Sequence, residues 1–87
     1  MNLQVEFQRA AADAQSLTRR PANDELLQLY ALFKQATDGD NNGERPGGFD
    51  FKAIAKFDTW REQKGKEKDV AMHEYVSFVG RLKSEYT

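Results

Sequence analysis

The chain has no cysteine, two prolines and a single histidine in 87 residues. Without cysteine there is neither a disulfide framework nor a thiolate metal site. One histidine cannot supply paired imidazole ligands. No serine stands in a G-x-S-x-G turn that would expose a nucleophile. Long apolar runs are missing as well, and nothing approaches the roughly 20 residues that a membrane span requires. The amino-terminal stretch MNLQVEFQRAAADAQ lacks a basic n-region and an apolar h-region, so it does not read as a signal peptide. A surplus of one charge sign is also absent, since 13 basic residues face 14 acidic ones. That balance disfavours nucleic-acid binding, which needs a basic stripe or excess. These absences lead us to expect a soluble, cytoplasmic protein; a monomer without a cofactor or metal is expected as well.

What is present is helical periodicity. A chain of 87 residues is one domain, over 1–87, with a single modest core. A first helix is expected over approximately Val5 to Leu17, where Phe7, Ala10, Ala11, Ala14 and Leu17 recur at three- and four-residue spacing. Arg19-Arg20-Pro21 ends it, because the residue before proline is pushed out of the helical region. A second helix starts near Asn23, a side-chain cap followed by Asp24-Glu25, and closes near Asp38-Gly39. Leu26, Leu27, Tyr30, Phe33 and Ala36 form its stripe. The segment from Gly39 to Gly48 is rich in glycine and contains a proline, so it is a loop. Asp50 caps a third helix carrying Phe51, Ile54, Phe57, Trp60 and Arg61, and Gly65 suits the left-handed position after its end. The last helix runs from about Glu67 to Tyr86, with Val70, Tyr75, Val79, Leu82 and Tyr86 on one stripe. Gly80 lies inside it, which costs roughly 1 kcal/mol against alanine. Strict alternation never persists, so the fold class is all-α.

Two motifs promise chemistry and fail on closer reading. Asp38-Gly-Asp40-Asn-Asn42-Gly43 copies the opening of a calcium-binding EF-hand loop, with oxygen ligands at positions 1, 3 and 5 and glycine at 6. The twelfth position needs a bidentate glutamate and is Phe49, while the ninth is Pro46. A polar turn-forming loop is the expectation. His73, beside Met72, Glu74 and Tyr75, has no cysteine partner and reads as a surface or groove-edge residue. Acid pairs such as Asp24-Glu25 read as helix starts rather than general acid–base pairs.

The stretch DELLQLYALFKQATDGDNNGERPG, from Asp24 to Gly47, is more specific. Tyr30, Phe33 and Lys34 fall within about one helical turn and share a face. Gln35-Ala36-Thr37 follows, then a loop ending Arg45-Pro46-Gly47. Phe7 with Ala10-Ala11 precedes this run. After it come Phe51-Lys52, Lys56-Phe57-Asp58-Thr59-Trp60, Lys64-Gly65 and Tyr75. Over nearly the whole chain the pattern resembles the acyl-CoA-binding protein family. The resemblance implies a skewed up-down four-helix bundle that carries long-chain acyl-CoA esters reversibly, passing them to acyl-CoA-using enzymes or membranes.

Spacing alone would make Tyr30, Phe33 and Trp60 core residues, and Lys34 a solvated flank whose stem packs on them. The resemblance assigns some of them otherwise. The family's nucleotide-binding tyrosine and lysine of the second helix match Tyr30 and Lys34. Its lysine of the third helix matches Lys56, and its tyrosine of the last helix matches Tyr75. Phe33 and Lys52 complete the expected ligand contacts. The positive charges of Lys34, Arg45, Lys52 and Lys56 cluster in the middle of the chain, as an anionic ligand without a glycine-rich phosphate loop requires. Departures from the family are Ile54 in place of a basic residue, Phe57 in place of tryptophan and Phe33 in place of tyrosine. Two other readings remain open at this point. One is a helical protein-interaction module that docks a partner helix on its aromatic face. The other is an enzyme acting on coenzyme A esters, which the lack of an acid–base constellation disfavours.

Overall fold

The computed structural model describes residues 2–86, so the first and last residues of the expected domain lie outside the described ones. Four helices occupy it: α1 Leu3–Gln15, α2 Asn23–Thr37, α3 Phe51–Arg61 and α4 Lys68–Tyr86, with no strand among the described residues. The all-α reading holds, and the boundaries shift for identifiable reasons. α1 begins two residues before the expected Val5, because the Asn2 side chain accepts the Gln4 N–H at 2.8 Å. It ends before Leu17, which packs on the core from outside the helix. At α2 the cap is Ala22 rather than Asn23. The Ala22 N–H is satisfied by the Glu25 carboxylate at 3.0 Å, while the Asn23 side chain accepts from Arg20 at 3.1 Å. Asp50 caps α3 as expected, accepting the Ala53 N–H at 3.1 Å. Gly65 has φ of 91°, the left-handed turn its position called for.

The core joins three helices. Phe7 and Ala10 of α1, Leu29, Leu32 and Ala36 of α2, and Ala71, Met72, Tyr75, Val79 and Leu82 of α4 form one buried cluster. Val70, expected on the α4 stripe, is instead exposed. α4 lies between α1 and α2, whereas α3 packs on α2 and buries none of its residues fully. Phe7 meets Tyr75 and Asp13 meets Lys83, so α1 and α4 run in the same sense. Tyr30 meets Lys56 and Lys34 meets Trp60, so α2 and α3 do likewise. The segment between α2 and α3 must therefore carry the chain back along the bundle, which explains its length.

That segment is pinned by its own polar side chains. Asp40 Oδ1 accepts the Gln35 amide and the Gly65 N–H, each at 2.9 Å. Asn41 donates to the Phe57 carbonyl at 3.2 Å and accepts the Gly43 N–H at 3.1 Å. Arg45 grips both oxygens of Asp58, at 2.9 and 3.0 Å. Of the carboxylates that mimic an EF-hand opening, Asp40 is engaged in holding the turn and Asp38 is paired with Lys34 of α2.

Two consequences are measurable. A Cβ added at Gly80 meets nothing within 4 Å. Gly80→Ala should therefore stabilise the fold by about 0.5–1 kcal/mol, seen as a higher thermal midpoint. The Gly65 N–H first, and then the Gln35 amide, hold the Asp40 carboxyl below the usual carboxylate range. Its charge then favours the folded state above the unfolded-state value, and this stability is lost as pH falls through the lowered one. Asp40→Asn should lower the midpoint at neutral pH, and the gap from the wild type should close below about pH 4.

Candidate functional site

α2 and α3 are laced together by two reciprocal cation–ring contacts. The Lys56 ammonium on α3 lies 4.5 Å from the centre of the Tyr30 ring on α2. One turn further along, the Lys34 ammonium on α2 lies 5.0 Å from the Trp60 ring on α3. Each helix thus supplies one ring and one cation four residues apart, which helical geometry places on one face. The Trp60 indole also donates to the Gly39 carbonyl at 2.9 Å, fixing the ring on which Lys34 rests.

Beside the first contact opens an apolar slot of about 610 Å³ between the amino-terminal halves of α2 and α3. Leu26, Leu27, Phe51 and Ala55 form its apolar walls, and Arg20, Lys52 and Lys56 supply positive charge. Every charged residue that lines it is a cation. A second cleft, about 710 Å³, runs between α1, α2 and α4. Its character is aromatic, with Tyr30, Phe33 and Tyr75 facing Ala11, Ala14 and Pro21. The two clefts share Arg20, Leu26 and Tyr30, so they form one bent, continuous surface.

Each expected site residue has a definite place. Tyr30 is half-buried at the junction and Lys56 lies over it. Lys52 is exposed on the lip of the slot. Phe33 is 37% exposed and stacks on Phe7 with centroids 5.3 Å apart. Tyr75 is almost fully buried, edge-on to Phe7 at 5.1 Å and to Phe33 at 5.9 Å. Its burial raises the phenol above the ordinary tyrosine range, which keeps the hydroxyl protonated. Lys34 stands apart from both clefts: its ammonium is bonded to Asp38 at 2.6 Å. That hydrogen bond, followed by Coulombic attraction, raises the Lys34 ammonium and lowers the Asp38 carboxyl. Arg45, one of the clustered cations, is bound to Asp58 and braces the loop.

Arg20 is the residue that periodicity missed. The pair Arg19-Arg20 registered only as the end of a helix before Pro21. Yet Arg20, next to the buried Pro21, lines both clefts where they meet. His73 is exposed on a different cleft, between α2 and α4, with Asp24, Glu74 and Phe78. No group of three or more metal-ligating side chains comes together among the described residues.

The family model "Acyl CoA binding protein" matches residues 4–79. An acyl-CoA-binding protein homolog of Drosophila melanogaster is 51% identical over 81 residues, which is 93% of this chain and 94% of that protein. The acyl-CoA-binding protein of Saccharomyces cerevisiae is 43% identical over 81 residues, covering 93% of each. The crystal structure of acyl-CoA-binding protein 2 from Oryza sativa superposes with a TM-score of 0.92 at 40% identity, over 97% of this chain and 93% of that one. A solution structure of the yeast protein gives 0.74 at 44% identity, over 92% and 93%. The chain belongs to the acyl-CoA-binding protein family.

Proposed function

We propose that the chain binds a medium- to long-chain acyl-CoA ester as a single ligand across both clefts, and so serves as an intracellular carrier and buffer of such esters. The observation that carries this reading is the continuity of an apolar slot and an aromatic cleft through Tyr30 and Arg20. An ester of this kind is apolar at one end and polyanionic and purine-bearing at the other. The slot fits the acyl tail, with a volume within the range of small-molecule sites. The aromatic cleft offers Tyr30, Phe33 and Tyr75 as surface for the purine. Lys56, Lys52 and Arg20 sit where the phosphates would pass between them.

Lys34 has a conditional part. Its ammonium is paired with Asp38, so a phosphate has to compete with that carboxylate. Binding alone, without bond making or breaking and without a cofactor or metal, accounts for the arrangement, since the acyl tail is shielded and the head group held. We place the carrier in the cytoplasm as a monomer; none of the described helices is long and apolar enough to cross a membrane. The protein-docking alternative is not favoured, given the family to which the chain belongs.

Calorimetric titration with palmitoyl-CoA, coenzyme A and palmitate tests the reading. Palmitoyl-CoA should bind more tightly than either part by orders of magnitude, because the second end engages intramolecularly once the first is held. Palmitate binding as tightly as the ester would make the protein a fatty-acid binder, and equal binding of free coenzyme A would dismiss the slot. Lys56→Ala should cost about 1.5–3 kcal/mol of affinity, the value of a charged hydrogen bond, and should flatten the salt dependence. Asp38→Asn should act in the opposite direction. By freeing Lys34 from an exposed ion pair it should tighten palmitoyl-CoA binding about two- to fivefold, an effect that disappears in a Lys34→Ala background.

A further inference from the structure

Phe49 and Phe51 are the most exposed large apolar side chains among the described residues, at 90% and 69%. They do not hang loose. Gly48 turns the chain just before them with φ of +69°. The Phe51 N–H bonds to the Phe49 carbonyl at 2.9 Å. The two rings meet edge-on with centroids 6.1 Å apart. A single exposed apolar residue needs no explanation, but two adjacent aromatic rings held outward by a tight turn form a patch.

Its surroundings define what fits it. Phe51 is at once part of this patch and a wall of the apolar slot, whose charged lining residues are Arg20, Lys52 and Lys56. Asp50, the carboxylate between the two rings, is directed at the Ala53 N–H of its own helix. Asp58 is held by Arg45 and Arg61. Glu44 is exposed further back along the loop. The patch therefore joins aromatic surface to a lip of positive charge. Aromatic rings settle at the headgroup level of a bilayer, and cations beside them are attracted to anionic lipid.

We propose that the Phe49–Phe51 edge docks the mouth of the slot onto an anionic phospholipid surface, so that an acyl chain passes between bilayer and slot with little exposure to water. The transfer half of this proposal rests on the acyl-CoA reading; the docking half does not.

Co-sedimentation with vesicles free of acyl-CoA tests the docking. The wild type should pellet with mixed phosphatidylcholine–phosphatidylglycerol vesicles and stay in solution with pure phosphatidylcholine. Phe49→Ser should weaken that partition about tenfold, the effect of withdrawing one largely buried ring. Palmitoyl-CoA affinity in vesicle-free buffer should be unchanged in Phe49→Ser, since Phe49 lines neither cleft. In Phe49→Trp, emission corrected for Trp60 should move to the blue when the anionic vesicles are added. A wild type left in the supernatant, or a Phe49→Ser protein that pellets like the wild type, overturns the proposal. So does Phe49-dependent self-association at equilibrium without lipid, which would assign the patch to a second copy of the chain. Loss of palmitoyl-CoA binding with vesicle docking intact would overturn the carrier reading and leave the docking standing.

Discussion

The site depends on how α3 is held against α2. α3 contributes no fully buried residue, so hydrophobic burial alone does not lock it in place. Its position comes instead from side chains that bridge to α2 and to the returning loop. Lys56 rests on Tyr30, Trp60 carries Lys34, Asn41 donates to the Phe57 carbonyl and Asp58 receives Arg45. These bridges tie the two parallel helices from mid-length to their carboxy-terminal ends, and the slot opens between their amino-terminal halves. A helix held by half-buried rings and polar contacts is also one that can yield slightly to a ligand, since the rigid core lies elsewhere, among α1, α2 and α4.

Charge in this molecule is balanced in sum and sorted in space. Lys34, Arg45 and Lys66 are bonded to Asp38, Asp58 and Glu74 and hold the architecture. Arg20, Lys52 and Lys56 border the slot instead. A net charge of −1 therefore conceals a local positive lip, which is what a polyanionic ligand meets. The carboxylates Asp24 and Glu74 line the separate cleft between α2 and α4, whose chemistry does not suit the same ligand.

Much of this was legible in the sequence, because helices of this kind announce their buried faces. Phe7, Ala10, Leu82 and Val79 lie where periodicity puts them, and Asp50 and Gly65 punctuate as their chemistry requires. Four things were not legible. Asn2 caps α1 from before the apolar stripe, and Glu25 serves the Ala22 N–H from inside α2, so the cap residues were displaced by neighbours with better reach. Val70 and Phe51 fit an apolar period but face outward, because period assigns a face and only packing decides whether another element covers it. Arg20 joined the site from the irregular segment that leads to the buried Pro21, and such a segment leaves no periodic trace. A different limit hid the Lys34–Asp38 pair: spacing permits it, but permits a free lysine equally well.

The central claim is that one ligand spans two clefts hinged at Tyr30. Amide chemical shifts followed during titration with palmitoyl-CoA, and separately with coenzyme A, test it most directly. Coenzyme A should perturb amides around Ala11, Tyr30, Phe33 and Tyr75. Palmitoyl-CoA should perturb these and, in addition, Leu26, Leu27 and Phe51 to Lys56. Perturbations centred instead on Leu32, His73 and Phe78, in the cleft between α2 and α4, would contradict the account.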